Sequence, residues 1–338
     1  MTTLASLSIA ARLTLNMHSL NNEGGEGNQI QTRMVDIVGD DGRLHNVNAI
    51  SGDMLRHVTA EHLQRIAGED GLPLCSGCQR LNANRVNADD KARKEILGLS
   101  DRNGLDHLLN LCVIDDTMGI LITAGRDEGG RSLPRKSVVE FGWVLGVPTL
   151  VRSDAYFHVK YASERGQAQR AQDTAAAQAG ANTGQAIFHR PASSGVYAVV
   201  CHLELARIGY NDIAQTYAID KDVQKERMSA LLRAVAYSFL ELNGAMRAAQ
   251  LPHLVALKGI ISTSAGATPA PLISPLAGGA DNHDSYRDQV EGLARALNPT
   301  GVTDGTAPVR FDTVQQFADE LLRLAREATP HRFPSFEA

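Results

Sequence analysis

The chain has little of what marks several large classes of protein. Four cysteines in 338 residues are too few for a disulfide scaffold, and the first residues alternate apolar with polar rather than resembling a secretory leader. A reducing, cytoplasmic setting is therefore expected. No apolar run is long enough to span a bilayer, so no membrane partner is expected. Aromatic residues make up only 5% of the chain, which disfavours a protein that holds nucleic acid by stacking many bases on rings. Nor is there an excess of positive charge: the net charge is −5 and the pI is near 6.1. Residues 1–170 carry 19 Lys and Arg against 21 Asp and Glu, so the charge is also spread evenly. A protein that coats DNA through its global charge is excluded, and any nucleic-acid surface has to be a local groove. Hydrolase signatures are missing too, with no GxSxG elbow, no HExxH and no cluster of carboxylates suited to two metals. No catalytic set and no cofactor is expected.

What the chain does have is a hydrophobic content of 43%, enough for a real core, and a length that allows either two domains or one core with long insertions. The stretch from His18 to His57 organises the rest. It reads HSLNNEGGEGNQIQTR, then MVDIVGDDGRLHNVNAI, then SGDMLRH. Before it, residues 4 to 16 alternate, with Leu7, Ile9, Ala11, Leu13 and Leu15 on one face and Ser6, Ser8, Arg12, Thr14 and Asn16 on the other, the pattern of a half-buried strand. The Gly-Asp-Asp-Gly between Met34 and Ile50 is a hairpin signal. Ser51 is placed to cap a helix running to about Ala67, whose buried stripe is Leu55, Val58, His62 and Ile66. Amides, Asn side chains and basic groups thus converge on one neighbourhood, which suits a phosphodiester chain. The loop is neither a P-loop nor a dinucleotide fingerprint, since its glycines at 24, 25 and 27 match neither spacing.

Beyond this helix the pattern breaks into short helices and loops from Gly68 to about Arg135, an inserted subdomain. A long hairpin follows: strands are predicted over Thr149–Tyr161 and Gln185–His189, around an Ala, Gln and Gly rich tip. Val196–Ala206 reads as a further strand, Val223–Ala249 as the longest helix, and His253–Ser262 as the last good strand. An irregular crossover and two amphipathic helices, near Tyr286–Leu297 and Thr313–Ala328, complete the chain. With the insertion set aside, this order fits an α+β fold built on a split β-α-β-β-α-β, ferredoxin-like sheet.

Cys75-x-x-Cys78 is half of a zinc knuckle, with Cys112, Cys201, His57 and His62 as candidate partners, but the second CxxC is missing. The expectation is a tight turn with two ordinary thiols and no zinc essential to folding. The basic run Arg80, Arg85, Lys91, Arg93, Lys94 is interleaved with acids and reads as a solvated helix face. Arg131, Arg135 and Lys136, in a loop before a buried apolar segment, are better placed to reach phosphates.

HSLNNEGGEGNQIQTR followed by NAISGDMLRHVTAEHL resembles the start of the DevR-like CRISPR-associated autoregulator family, the repeated crRNA-binding backbone subunit of type I Cascade. RKSVVEFGWVLG, the DAYFH strand and GVYAVVCHLELARIG extend the resemblance over most of the chain, from about residue 5 to residue 262. It implies a modified RRM-like palm with a helical fingers insertion and a β-hairpin thumb: palm in 1–67, 141–153 and 195–338, fingers in 68–140, thumb in 154–194. It also implies copies stacked head to tail along crRNA with other Cascade subunits, presenting the guide to target DNA. Asn21, Asn22, Arg33, Ser51, Arg56, His57, Arg135 and Lys136 would line the RNA groove, and Phe157, His158, Phe188 and His189 would sit at the thumb. The usual aromatic motifs of RNA-binding sheets are absent, which favours contact with the RNA backbone over stacking on the sheet. Type III relatives cleave RNA with an aspartate in the loop after the first strand; the loop from His18 to Thr32 has none, so no such nuclease is expected. An RNA-cleaving subunit and a DNA-binding autoregulator stand as the alternative readings.

Overall fold

The computed structural model describes residues 2–26, 29–124, 130–161, 185–298 and 307–334. The fold is α+β and is built around one mainly antiparallel sheet. Its main path is β1 (Ser6–His18), β2 (Met34–Val38), β3 (Leu44–Ile50), β4 (Val144–Tyr161), β5 (Gln185–Leu203), β6 (His253–Ser264) and β7 (Val309–Phe311), in the spatial order β7-β6-β1-β5-β4-β3-β2, and three short strands, Asn22–Glu26, Gln29–Thr32 and Val139–Phe141, join it off this path. The hairpin β2–β3 turns at Gly39–Arg43, where the amide of Gly39 donates to the Arg43 carbonyl.

One face of the sheet is covered by three helices: α1 (Gly52–Asp70), α6 (Lys221–Leu240) and α8 (Val314–Glu327). Leu55, Val58, His62 and Ile66 of α1 are all buried, as their spacing predicts. Phe239 of α6 packs edge-on against Phe317 of α8, with ring centroids 5.2 Å apart, and tilts toward Phe141 beneath the start of α1. Burying aromatic and aliphatic side chains of this size stabilises the fold by about 1.5–3 kcal/mol each.

The opposite face departs from the alternation read in β1. Ser8 and Arg12, expected on an exposed face, are buried. The crossover after β6 and helix α7 (Ser285–Leu297) lie over them, and Tyr286 and Val290 of α7 pack on Ala10 and Ile260. Polar residues tolerate this because the crossover offers them carbonyls: Ser8 Oγ donates to Ala270 at 3.1 Å. Arg12 Nη2 donates to the carbonyls of Pro275 at 2.9 Å and Gly279 at 2.6 Å. Alternation of polarity therefore marked the strand correctly but not its solvent exposure.

Two boundaries also differ. The longest helix ends at Leu240 rather than continuing to Ala249: Glu241 leaves the helical conformation, and the chain then runs past Leu20, with Gly244 packed against it, before turning at 245–249. The segments expected as separate strands around 185–189 and 196–206 are one strand, β5, which pairs with β4 from Leu145 to Tyr161. The two project as a hairpin beyond the sheet. A bulge between Gly146 and Val151, with Thr149 at φ 67°, bends β4 where it leaves. The Ala and Gln rich tip, 162–184, lies outside the described residues.

Between β3 and β4 the inserted segment folds as short helices α2 (Ser76–Gln79), α3 (Asp90–Gly98), α4 (Asp101–Leu111) and α5 (Val113–Met118), then a small hairpin, Ile120–Thr123 with Ser132–Arg135. A buried ionic network fastens it to the main body. Asp116 of α5 accepts from Arg135 at 2.7 Å and from Arg227 of α6 at 2.8 Å, and it also accepts the amide of Gly209.

Candidate nucleic-acid interface

The loop that leaves β1 is anchored by a buried relay. Asn48 Nδ2 donates to Thr32 Oγ1 and to the Arg33 carbonyl, both at 2.9 Å, which leaves Asn48 Oδ1 to accept from the Tyr197 hydroxyl at 2.9 Å. The phenol oxygen is then the acceptor for His18 Nε2, 2.8 Å away. Burial pushes the His18 imidazole down to about 4, so it is neutral in this relay.

Asn21 and Ser51, expected in the groove, are engaged with each other. The Ser51 amide donates to Asn21 Oδ1 at 2.8 Å, and Ser51 Oγ caps α1 by accepting the Met54 amide at 3.2 Å. Their side chains fasten the loop to the helix start. The next residue, Gly52, sits where a Cβ would lie 2.4 Å from the Phe141 carbonyl, so α1 begins directly on the chain entering β4. Asn22 lies in a short strand, Asn22–Glu26, that pairs with Gln29–Thr32; its side chain is outside the described residues.

The outward face of α1 separates two clefts. The first, about 590 Å³, is lined by Asn21, His57, Glu61, Arg65, Asn243 and Arg247, among others. The second, about 300 Å³, is lined by Asp53, Arg56, His57, Asn82 and Arg85 and reaches Cys78. His57 borders both and is 59% exposed, with its Nε2 3.1 Å from Glu61 Oε1. Arg56, only 29% exposed, bonds Asp53 and donates to the Met118 carbonyl of the insertion. It is thus part structural and part cleft wall. Arg65 and Arg247 both pair with Glu241. Arg65, missed in the sequence reading, lies about two helical turns beyond His57, so spacing could have found it, but Arg247 and Arg85 reach these clefts from distant parts of the chain, which no local pattern displays. Arg33 stacks over the half-exposed ring of Trp143, 5.2 Å from its centroid.

Arg135 corrects the sequence reading outright. Its side chain is fully buried. It donates to the carbonyls of Asp116, Tyr210 and Arg207 and to the carboxylates of Asp116 and Asp212. Five donors are committed, and no phosphate can reach them. Lys136 is 53% exposed and pairs with Glu204 and Glu140. On the projecting hairpin Phe157 is exposed and meets the His189 ring edge-on at 5.8 Å, while His158 stands opposite Phe188 in the register. The Phe188 side chain is outside the described residues.

The CSGC turn is not isolated either. Cys75, Cys78, Cys112 and Asp115 are all buried, and their ligating atoms lie within 4.8 Å of one another. Cys112 was one of the partners considered; Asp115 was not, and His57, His62 and Cys201 are elsewhere. The signal was present as a second half of the form Cys112-x-x-Asp115. A search confined to cysteine and histidine passes over it.

The fold is similar to a chain of "CRISPR RNA-guided surveillance complex, pre-nicking", with a TM-score of 0.52 and 12% identity, covering 95% of this chain and 99% of that one. It is also similar to a chain of "CRISPR RNA-guided surveillance complex", with a TM-score of 0.47 and 13% identity over 98% of this chain and 95% of that chain. The crystal structure of Thermofilum pendens Csc2 gives a TM-score of 0.38 at 12% identity, covering 93% of this chain and 80% of that chain. No curated protein matches the chain. The family model described as CRISPR-associated negative auto-regulator DevR/Csa2 matches residues 9–289, most of the sequence, and the chain belongs to that family.

Proposed function

We propose that this protein is a non-catalytic backbone subunit of a type I CRISPR interference complex, holding crRNA along the α1 face while copies stack head to tail. The observation that carries this reading is the pair of clefts flanking α1, with Arg56, His57, Arg65, Arg85 and Arg247 in their walls, on a chain of the DevR/Csa2 family. Several of these groups are paired with Asp53, Glu61 or Glu241. Phosphates would exchange with those partly or fully exposed carboxylates at small cost, because surface ion pairs contribute only about 0–1 kcal/mol. The strand order β6-β1-β5-β4, with α1 after β1 and α6 after β5, supports reading the sheet as an RRM-like palm. Its face opposite α1 is covered in part by α7 and the crossover, which favours contact with the RNA backbone at the edge of the palm over base stacking on the sheet. The inserted helices would be the fingers and the β4–β5 hairpin the thumb.

Purification of the full chain from cells carrying a CRISPR array, followed by sequencing of the bound nucleic acid, tests the proposal. Array-derived RNA with several copies of the chain per RNA is expected, and binding should weaken steeply with salt as phosphate contacts release counterions. Recovery of promoter DNA instead would favour the autoregulator, and metal-dependent cleavage of complementary RNA by the assembled complex would favour the nuclease.

A further inference from the structure

Cys75 and Cys78 flank the start of α2, just beyond the end of α1; Cys112 and Asp115 lie at the start of α5. The Cys75 and Cys78 sulfurs lie 3.2 and 3.6 Å from Asp115 Oδ2, and all four groups are fully shielded from solvent. Ligands around a tetrahedral zinc with Zn–S near 2.3 Å sit about 3.8 Å apart, so the spread of these four atoms needs only a small contraction to enclose the ion. We infer that Cys75, Cys78, Cys112 and Asp115 form a structural zinc site that ties the inserted helices together.

Two observations independent of the clustering point the same way. Asp115 Oδ1 is buried with no hydrogen-bond partner, and its other oxygen has only thiols beside it, which are weak donors. A metal-free cluster leaves that carboxyl underserved; a cation resolves it. The Cys78 amide also donates to Cys75 Sγ at 3.4 Å, an arrangement that favours a thiolate over a thiol. Gly77 makes the turn possible, since a Cβ there would lie 1.9 Å from the Arg85 carbonyl. The donor set is soft, with three sulfurs and one carboxylate, and suits zinc better than magnesium or calcium. As zinc binds, the thiols release their protons to solvent, leaving three thiolates and one carboxylate around a dipositive ion. The net charge of −2 is offset in part by Arg85, which lies close enough to interact with Cys78, Cys112 and Asp115 and whose guanidinium is held by the Gly119 carbonyl. Four protein ligands close the site, so its role is to hold the fold and not to catalyse. It lies behind the smaller cleft, so it would also fix the wall that carries Arg85.

The test uses the full chain, purified without chelators from zinc-supplemented cells. Elemental analysis should find about one zinc per chain. Chain stripped of metal and loaded with cobalt should show thiolate charge-transfer absorption and the visible bands of a tetrahedral site. Cys75→Ser and Cys112→Ser should each lose most of the metal, whereas Cys201→Ala, at a buried cysteine outside the cluster, should keep it. Asp115→Cys should retain zinc and strengthen the cobalt charge-transfer band. Should the serine variants fail to fold, the parent chain still decides. Less than about one-tenth of a zinc per folded chain after incubation with excess zinc, and no tetrahedral cobalt spectrum, would overturn the inference. None of these measurements depends on RNA binding.

Discussion

Replacing Arg135 with alanine removes a fully buried guanidinium that donates to three carbonyls and two carboxylates. Asp116 keeps Arg227 and the Gly209 amide, so its charge is not left alone, but the carbonyls of Arg207 and Tyr210 each lose a donor. Removing one partner of a buried pair costs about 3–5 kcal/mol. With about 2–4 °C lost per kcal/mol in a large domain, the melting temperature should fall by roughly 6–20 °C. Urea denaturation followed by circular dichroism gives the free energy, and a thermal scan gives the shift. RNA affinity is then measured at a temperature where the variant remains folded. There the salt slope should equal that of the parent, because no phosphate contact has been removed. Arg135→Lys should fall between the two, since it restores the charge but cannot satisfy five acceptors. A loss of less than about 1 kcal/mol, together with a salt slope smaller by about one unit, would mean that Arg135 reaches phosphate and that its burial has been misjudged.

Other outcomes follow from the same geometry. Arg56→Ala should destabilise the chain by about 1–2 kcal/mol through the lost bond to the Met118 carbonyl, whereas His57→Ala should change stability by no more than about 0.5 kcal/mol. Both should reduce RNA affinity evenly across sequences, and a preference for one short sequence would contradict this. His18 is protonated near pH 6.5 in the unfolded chain but only near 4 when folded. Its contribution is therefore complete above pH 6.5 and lost as pH falls toward 4, on the order of 3 kcal/mol in all. Urea midpoints across that range should show it, and a His18→Gln variant whose stability falls just as steeply would refute the assignment. Ser51→Ala should cost about 1 kcal/mol through the helix cap, measurable by the same denaturation. Gly77→Ala should disrupt the CSGC turn against the Arg85 carbonyl. Faster proteolysis within the inserted helices is the expected readout, and unchanged digestion would count against that close packing.

The sequence alone determined the features that depend on neighbours a few residues apart. The strand β1, the Gly-Asp-Asp-Gly turn, the Ser51 cap and the stripe of Leu55, Val58, His62 and Ile66 are all present as read, because pleat, turn chemistry and helical pitch act over short distances. Arg56 and His57 fall on the outward face of α1 for the same reason. Tertiary structure decided what surrounds each side chain. Arg135 reads as a loop arginine until Asp116, Asp212 and the carbonyls of Arg207 and Tyr210 are folded around it. Ser8 and Arg12 read as exposed until the crossover after β6 supplies their acceptors. Cys75 and Cys78 lack partners in their own turn and find them only at the start of α5. Burial and coordination are properties of volumes filled from several parts of the chain, and a local pattern of polarity carries no record of which distant segment will fill them.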